Sequence, residues 1–125
     1  MSTALVPIQE TEEETSLPAL IANAGGAAAF AWDEFFAGRV RNPHTRRAYT
    51  HAVRQFLVWC EAKGLELHRI APGQLGNYLD QLPGTIPTRK LHLAALRGFF
   101  DALVLRHVVI LNPAASVRAE RYTVV

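Results

Sequence analysis

The chain has 125 residues, half of them apolar, enough for one domain with a true core plus a tail. No apolar run approaches the roughly 20 residues of a membrane span, the acidic opening from Met1 to Glu14 has neither the basic nor the apolar region of a secretory leader, and the single cysteine, Cys60, excludes an internal disulfide and fits a reducing cytoplasm. The net charge of +2 conceals an asymmetry: residues 1–38 carry six acidic and no basic residues, whereas residues 39–125 hold all 13 basic residues against five acidic ones, a formal +8 that points to a polyanionic partner.

Residues 1–23 mix Ser, Thr, Pro and Glu without a sustained period and read as a flexible acidic tail. A first helix is predicted from Ala24 to Ala37, with Phe30, Trp32, Phe35 and Phe36 as its bulky residues and Gly38 as its stop. A second runs to Lys63 and ends at Gly64. It starts either at Pro43 under an Asn42 cap or slightly later under a Thr45 cap. A short third helix spans Pro72 to Leu82. The fourth runs from Pro87 or Thr88 to His107. The β-branched run Val108 to Leu111 reads as the packed end of a helix, and Asn112-Pro113 opens a final segment of one or two further turns. No stretch alternates like a strand and no repeat is present. Residues 24–118 thus form one all-α bundle with short connections, and residues 119–125 begin a linker.

On a 3.6-residue wheel the second helix places Tyr49, Ala52, Val53, Phe56, Leu57 and Cys60 on a core stripe. Arg47, Thr50, His51 and Arg54 lie opposite, with Arg46 at the border. No carboxylate stands between Arg39 and Glu61, whereas a merely solvated helix mixes signs for i to i+4 pairing. Arginines on such a face can bridge phosphates or reach the O6 and N7 acceptors of guanine. The fourth helix is apolar over a broad side centred on Leu91, Ala95, Leu96, Gly98, Phe99, Ala102 and Leu103, with Leu93, Phe100 and Val104 off that centre. A helix this apolar is central and touched from several sides. Gly98 marks a close packing point. The start, Thr88-Arg89-Lys90, offers open N–H groups and positive charge to a phosphate.

No chemistry-bearing constellation is evident. No two of the five histidines have i, i+4 spacing, and His44 and His51, seven apart, have no Cys, Asp or Glu beside them, so neither a metal nor any other cofactor is expected. Cys60 falls on a core stripe and reads as a buried small hydrophobe, not a nucleophile. Gly25-Gly26 follows no strand and lacks a phosphate-loop lysine. The aromatic residues fall mostly at core spacing, with Trp59 at the edge of its stripe, so a base-stacking platform is not indicated.

Two stretches carry a family resemblance. Asn42-Pro43-His44-Thr45-Arg46-Arg47-Ala48-Tyr49 with Phe56-Leu57-Val58-Trp59-Cys60 resembles the second helix of the core-binding domain of phage integrases and Xer-type tyrosine recombinases. Thr88 to Phe100, with its L-x-A-L-R segment and aromatic pair, resembles that domain's fourth helix, and Asn112-Pro113 followed by Val117 resembles its exit. The resemblance covers about residues 28–120. It implies a SAM-like bundle of four to five helices that forms one jaw of a clamp on duplex DNA. It implies that neighbouring protomers touch through the first and last helices within a tetrameric synapse. It also implies that Arg46, Arg47, Thr50, His51 and Arg54 of the second helix and Thr88, Arg89, Lys90 and Arg97 of the fourth face DNA. The family's nucleophilic Tyr, with its Arg, Lys and His partners, belongs to a C-terminal domain expected to begin where Tyr122 to Val125 stand. Tyr49 lies on a core stripe, and Tyr78 and Tyr122 lack a His-x-x-Arg companion, so no catalytic residue is carried over.

The expectation is therefore a non-catalytic, cytoplasmic DNA-holding module for integration and recombination, monomeric in isolation. The alternative is a helical protein-interaction module that mediates oligomerisation without touching DNA, since a fold alone does not fix function.

Overall fold

A computed structural model describes residues 16–118; most of the expected acidic tail, the linker and Tyr122 lie outside the described residues. Helices α1 (Ala19–Ala24) and α2 (Gly26–Asp33) are followed by a π-turn, Glu34–Arg39. Then come α3 (Pro43–Ala62), a 3₁₀ turn (Leu67–Arg69), α4 (Pro72–Gln81) and α5 (Ile86–Leu105). The described residues contain no strand. The all-α bundle expected from the sequence is the observed fold.

The first helix differs from expectation in three ways. Residues 19–23, placed in the tail, form α1 together with Ala24, and Ile21 is fully buried where α1 meets α3 and the 3₁₀ turn. Six residues are too few to show a period, so only the tertiary contact reveals them. Gly25 then breaks the chain at φ 105° and ψ −174°, a conformation essentially reserved for glycine, and separates α1 from α2. At the far end Gly38 does not stop the helix. The Val40 N–H bonds the Phe35 carbonyl at 3.0 Å, the i to i−5 link of a π-turn, and the chain leaves helical geometry only at Val40.

The start of α3 resolves to the earlier option: Asn42 Oδ1 accepts from the N–H groups of His44 at 2.8 Å and Thr45 at 3.2 Å, with Pro43 as first helical residue. Its end is a Schellman motif, with Leu65 N–H on the Cys60 carbonyl at 3.0 Å, Gly64 N–H on the Glu61 carbonyl at 3.0 Å, and Gly64 at φ 72°. Helix α5 ends the same way, through Val108 N–H on Leu103 at 2.9 Å and His107 N–H on Val104 at 3.0 Å. There the left-handed residue is His107, at φ 61°. The helix therefore stops at Leu105. The run read as a packed helix end is an irregular exit in which Val109 is buried while Ile110 and Leu111 are 90% and 78% exposed. Beyond it, residues 113–116 make turns rather than helix.

Helix α5 lies at the centre, against α2, the π-turn, α3 and α4, with its most extensive contact to α3. Rings join the elements. Trp32, Phe35 and Phe36 surround Phe99 with centroids 5.4, 6.2 and 5.9 Å away, and Phe100 reaches Phe56 at 6.3 Å. Phe56 in turn meets Trp59 at 6.0 Å and Tyr78 at 5.0 Å. Because α5 is enclosed on several sides, Leu93, Phe100 and even His92 are buried although they sit off the apolar centre, while Leu91, expected in that centre, is partly exposed. Each large side chain fully buried here contributes roughly 1.5–3 kcal/mol. Gly98 is the close packing point expected: a Cβ there would lie 2.8 Å from Phe35 Cζ. Phe30, expected in the core, is mostly exposed and lies under the Arg106 guanidinium, 4.4 Å from its ring centroid. Arg106 also binds both oxygens of Glu34, at 3.0 and 2.8 Å, and ties the π-turn to the end of α5. That partner holds the Glu34 carboxyl below the usual carboxylate range.

Candidate functional site

The Asn42 cap fixes where α3 begins and so fixes which side chains its first three turns present. His44, Arg47 and His51, at i, i+3 and i+7, form an exposed row. Together with Arg46, Thr50 and Arg54 they line one side of an open groove of about 1110 Å³. Its other side comes from α2 and the π-turn, with Ala29, Trp32, Phe36 and Ala37 as apolar lining and Asp33 as an acidic one, and Leu17 closes an end. The five second-helix residues singled out from the sequence thus share one surface. His44, not among them, belongs to the same row.

The cations around this groove are anchored in different ways. Arg46 donates Nε to the Val40 carbonyl at 3.1 Å and Nη2 to the Arg41 carbonyl at 3.4 Å, so its guanidinium braces the turn entering α3. Thr50 Oγ1 donates back to the Arg46 carbonyl at 2.7 Å. Arg54 lies 5.2 Å from the Trp32 ring centroid and donates Nη2 to the Ser16 carbonyl. A carbonyl carries no formal charge, so these particular bonds do not neutralise a guanidinium. Among the described residues neither Arg46 nor Arg47 pairs with a carboxylate, whereas Glu66 pairs with His68 and Arg69, and Glu34 with Arg106.

The start of α5 is arranged otherwise. Thr85 caps it, taking the Thr88 N–H on its side chain at 3.4 Å and the Arg89 N–H on its carbonyl at 3.1 Å. The amides expected to be open to a phosphate at Thr88 and Arg89 are therefore internally satisfied. Arg89 turns back to the end of α4 and donates to the carbonyls of Leu79, Gly84 and Leu82 at 3.2, 3.0 and 2.8 Å. Lys90 alone of this set is well exposed. Arg97 points to the other end of the chain, donating Nε to the Ala114 carbonyl at 3.1 Å and Nη2 to the Val117 carbonyl. Asn112 completes that clasp by donating to the Arg97 carbonyl at 2.9 Å and to Asp101 at 2.8 Å. Thr88, Arg89, Lys90 and Arg97 thus do not line the α2–α3 groove. Periodicity could not foretell this, because the carbonyls that capture Arg89 and Arg97 belong to other segments.

One buried polar residue was passed over by sequence reasoning. His92 of α5 is 5% exposed, and its Nδ1 has no hydrogen-bond partner among the described residues. Burial lowers its pKa, and the charge of His51 on α3 lowers it further. Cys60 and Tyr78 are also buried, and burial pushes both up to about 12; Cys60 adds to the shift at Tyr78. Neither group is ionised near neutrality, so neither is an activated nucleophile. Among the described residues no three of His, Cys, Asp and Glu gather as metal ligands, and no helix is long and apolar enough to cross a membrane.

The family model described as phage integrase, N-terminal SAM-like domain, matches residues 31–107, from the last turn of α2 to just past the end of α5. Neither curated proteins nor solved structures yield a match. The match takes in more than half of the chain, with the π-turn and helices α3 to α5 complete and the last turn of α2. The chain belongs to the phage integrase N-terminal SAM-like domain family, the helical and generally DNA-binding domain of tyrosine recombinases.

Proposed function

We propose that this chain holds duplex DNA for strand exchange by a site-specific recombinase, with the α3 side of the groove against the phosphate backbone. The observation that carries this reading is the row His44, Arg47 and His51, flanked by Arg46 and Arg54, on a surface where Arg46 and Arg47 have no carboxylate partner among the described residues. Arg47, Thr50, His51 and Lys90 are the side chains that reach DNA. Arg46, Arg54, Arg89 and Arg97 act mainly by shaping the surface and by long-range charge. The module is itself non-catalytic: its buried thiol and phenol are poor nucleophiles, and the family's catalysis resides in a C-terminal domain. It works in the cytoplasm, monomeric alone and tetrameric with sister protomers in the DNA synapse.

A salt titration tests the reading. Duplex binding alone should be weak, with Kd on the order of 10⁻⁴ to 10⁻⁶ M, and should decline with a log–log slope of about −0.9 per phosphate neutralised. Absence of binding at low ionic strength would overturn it. The exposed Ile110 and Leu111 favour a second reading, a docking module for another protein. A stable oligomer without DNA, together with no mobility shift on DNA, would favour that reading instead.

A further inference from the structure

The groove has a mainly apolar floor and a cationic rim, and the chain itself enters at one end. Leu17 lines it, and the Ser16 carbonyl receives a hydrogen bond from Arg54. Immediately before that entry stand Glu10, Glu12, Glu13 and Glu14, while residues 1–38 contain no basic residue. We propose that this acidic stretch of the chain's own N-terminal arm docks along the α3 rim of the groove and competes there with DNA phosphates. The competition rests on the groove being the DNA-holding face; the docking does not.

Reach and charge both fit. An extended residue spans at most about 3.6 Å, so the tether from Ser16 gives Glu14 a reach of about 7 Å and Glu10 a reach of about 22 Å. The rim from His44 to Arg54 is ten residues of helix, about 15 Å long. Glu10 to Glu14 extended covers a similar length, so a single pass lays its carboxylates beside His44, Arg47, His51 and Arg54. Asp33 lines the α2 side of the groove and repels the same arm, which directs it to the α3 side. Tethering makes the encounter intramolecular, with an effective concentration in the millimolar range for a short connection, so individually weak charge contacts suffice. Salt loosens them, because the rim is open to solvent.

The test compares the full chain with the same chain carrying Glu10→Gln, Glu12→Gln, Glu13→Gln and Glu14→Gln. Without DNA, amide and indole NMR signals of Trp32, Arg47, Thr50 and His51 should differ between the two chains. Signals from the far end of α5 should not. Raising the salt to about 1 M should bring the native spectrum toward that of the variant. With duplex DNA at low salt, the variant should bind roughly 5- to 30-fold more tightly, as expected for the loss of a few exposed charge contacts. Identical spectra would overturn the docking. Altered spectra with equal DNA affinity would overturn the competition. Altered spectra with no DNA binding by either chain would overturn both the competition and the DNA-holding reading, and would support the docking.

Discussion

Gly98 of α5 lies against the Phe35 ring of the π-turn, and its missing Cβ makes room for that ring. A methyl group there would fall 2.8 and 2.9 Å from Phe35 Cζ and Cε1. The Phe35 ring cannot easily yield, because Phe36 and Phe99 hold it at 4.9 and 6.2 Å. Gly98→Ala gains about 1 kcal/mol of helix propensity and loses typically 1–3 kcal/mol to overpacking. A net fall in the denaturation midpoint is expected, and an unchanged or raised midpoint would show that Phe35 moves aside at no cost. His92 makes a pH prediction of definite sign. Its folded pKa lies below the ordinary histidine value of 6.5, first through burial and then through His51. The unfolded chain therefore takes up a proton, as pH falls through about 6.5, that the folded chain resists. Stability should drop from pH 7.5 to 5.5 more steeply in the native chain than in His92→Leu. Parallel melting curves for the two would refute the assignment. Arg47 and Arg89 look alike in sequence and separate here. One is exposed on the groove; the other is bound to three carbonyls at the end of α4.

At the scale of elements, α3 and α5 are both 20 residues long and both close with the Schellman arrangement, but their starts differ in consequence. The Asn42 cap sets the phase of the basic row. Replacing it in Asn42→Ala should cost about 1 kcal/mol, within a range of roughly 0.5–2 kcal/mol, and should fray the first turn that carries His44 and Arg47. Hydrogen exchange at His44 and Thr45 would report this directly; unchanged protection would mean that other contacts hold the turn. The π-turn and α1 are elements that local pattern did not reveal. The first is an i to i−5 closure whose residues read as ordinary helix, and the second is too short for a period. The exit after α5 was misread for a related reason. An apolar run says that residues prefer burial, but the left-handed turn at His107 decides which of them obtain it.

For the whole molecule, the arginines divide into those that hold the fold and those that extend the charge outward. Arg47→Ala should leave the melting temperature within about 0.5 kcal/mol equivalent of the native chain, as surface substitutions usually do, and should reduce the magnitude of the salt slope of DNA binding by about 1. Arg89→Ala should do the reverse, lowering stability by loosening the α4–α5 connection while changing the salt slope less. If both variants behaved alike, the division drawn from their partners would fail. The same division explains the site's partial legibility. The wheel grouped Arg46, Arg47, Thr50, His51 and Arg54 because they share one helix, and helical geometry alone sets their common side. It could not separate Arg89 and Arg97 from the exposed cations, since their partners are Leu79, Leu82, Gly84, Ala114 and Val117, between five and twenty residues away in the chain.

From the sequence by itself followed the all-α class, the positions of the three later helices to within a turn, the concentration of basic residues after residue 38, and the resemblance later matched by the family. These are properties of near neighbours: periodicity, caps and composition act over one or two turns of chain. Only the tertiary structure decided that Ile21 anchors a further helix, that Phe30 stays outside while His92 goes in, that two of the basic side chains on α5 close onto backbone carbonyls, and that α2 and α3 leave a groove between them. Those outcomes depend on which distant surfaces meet. A side chain's propensity is local, but its burial and its hydrogen-bond partners belong to the packing as a whole.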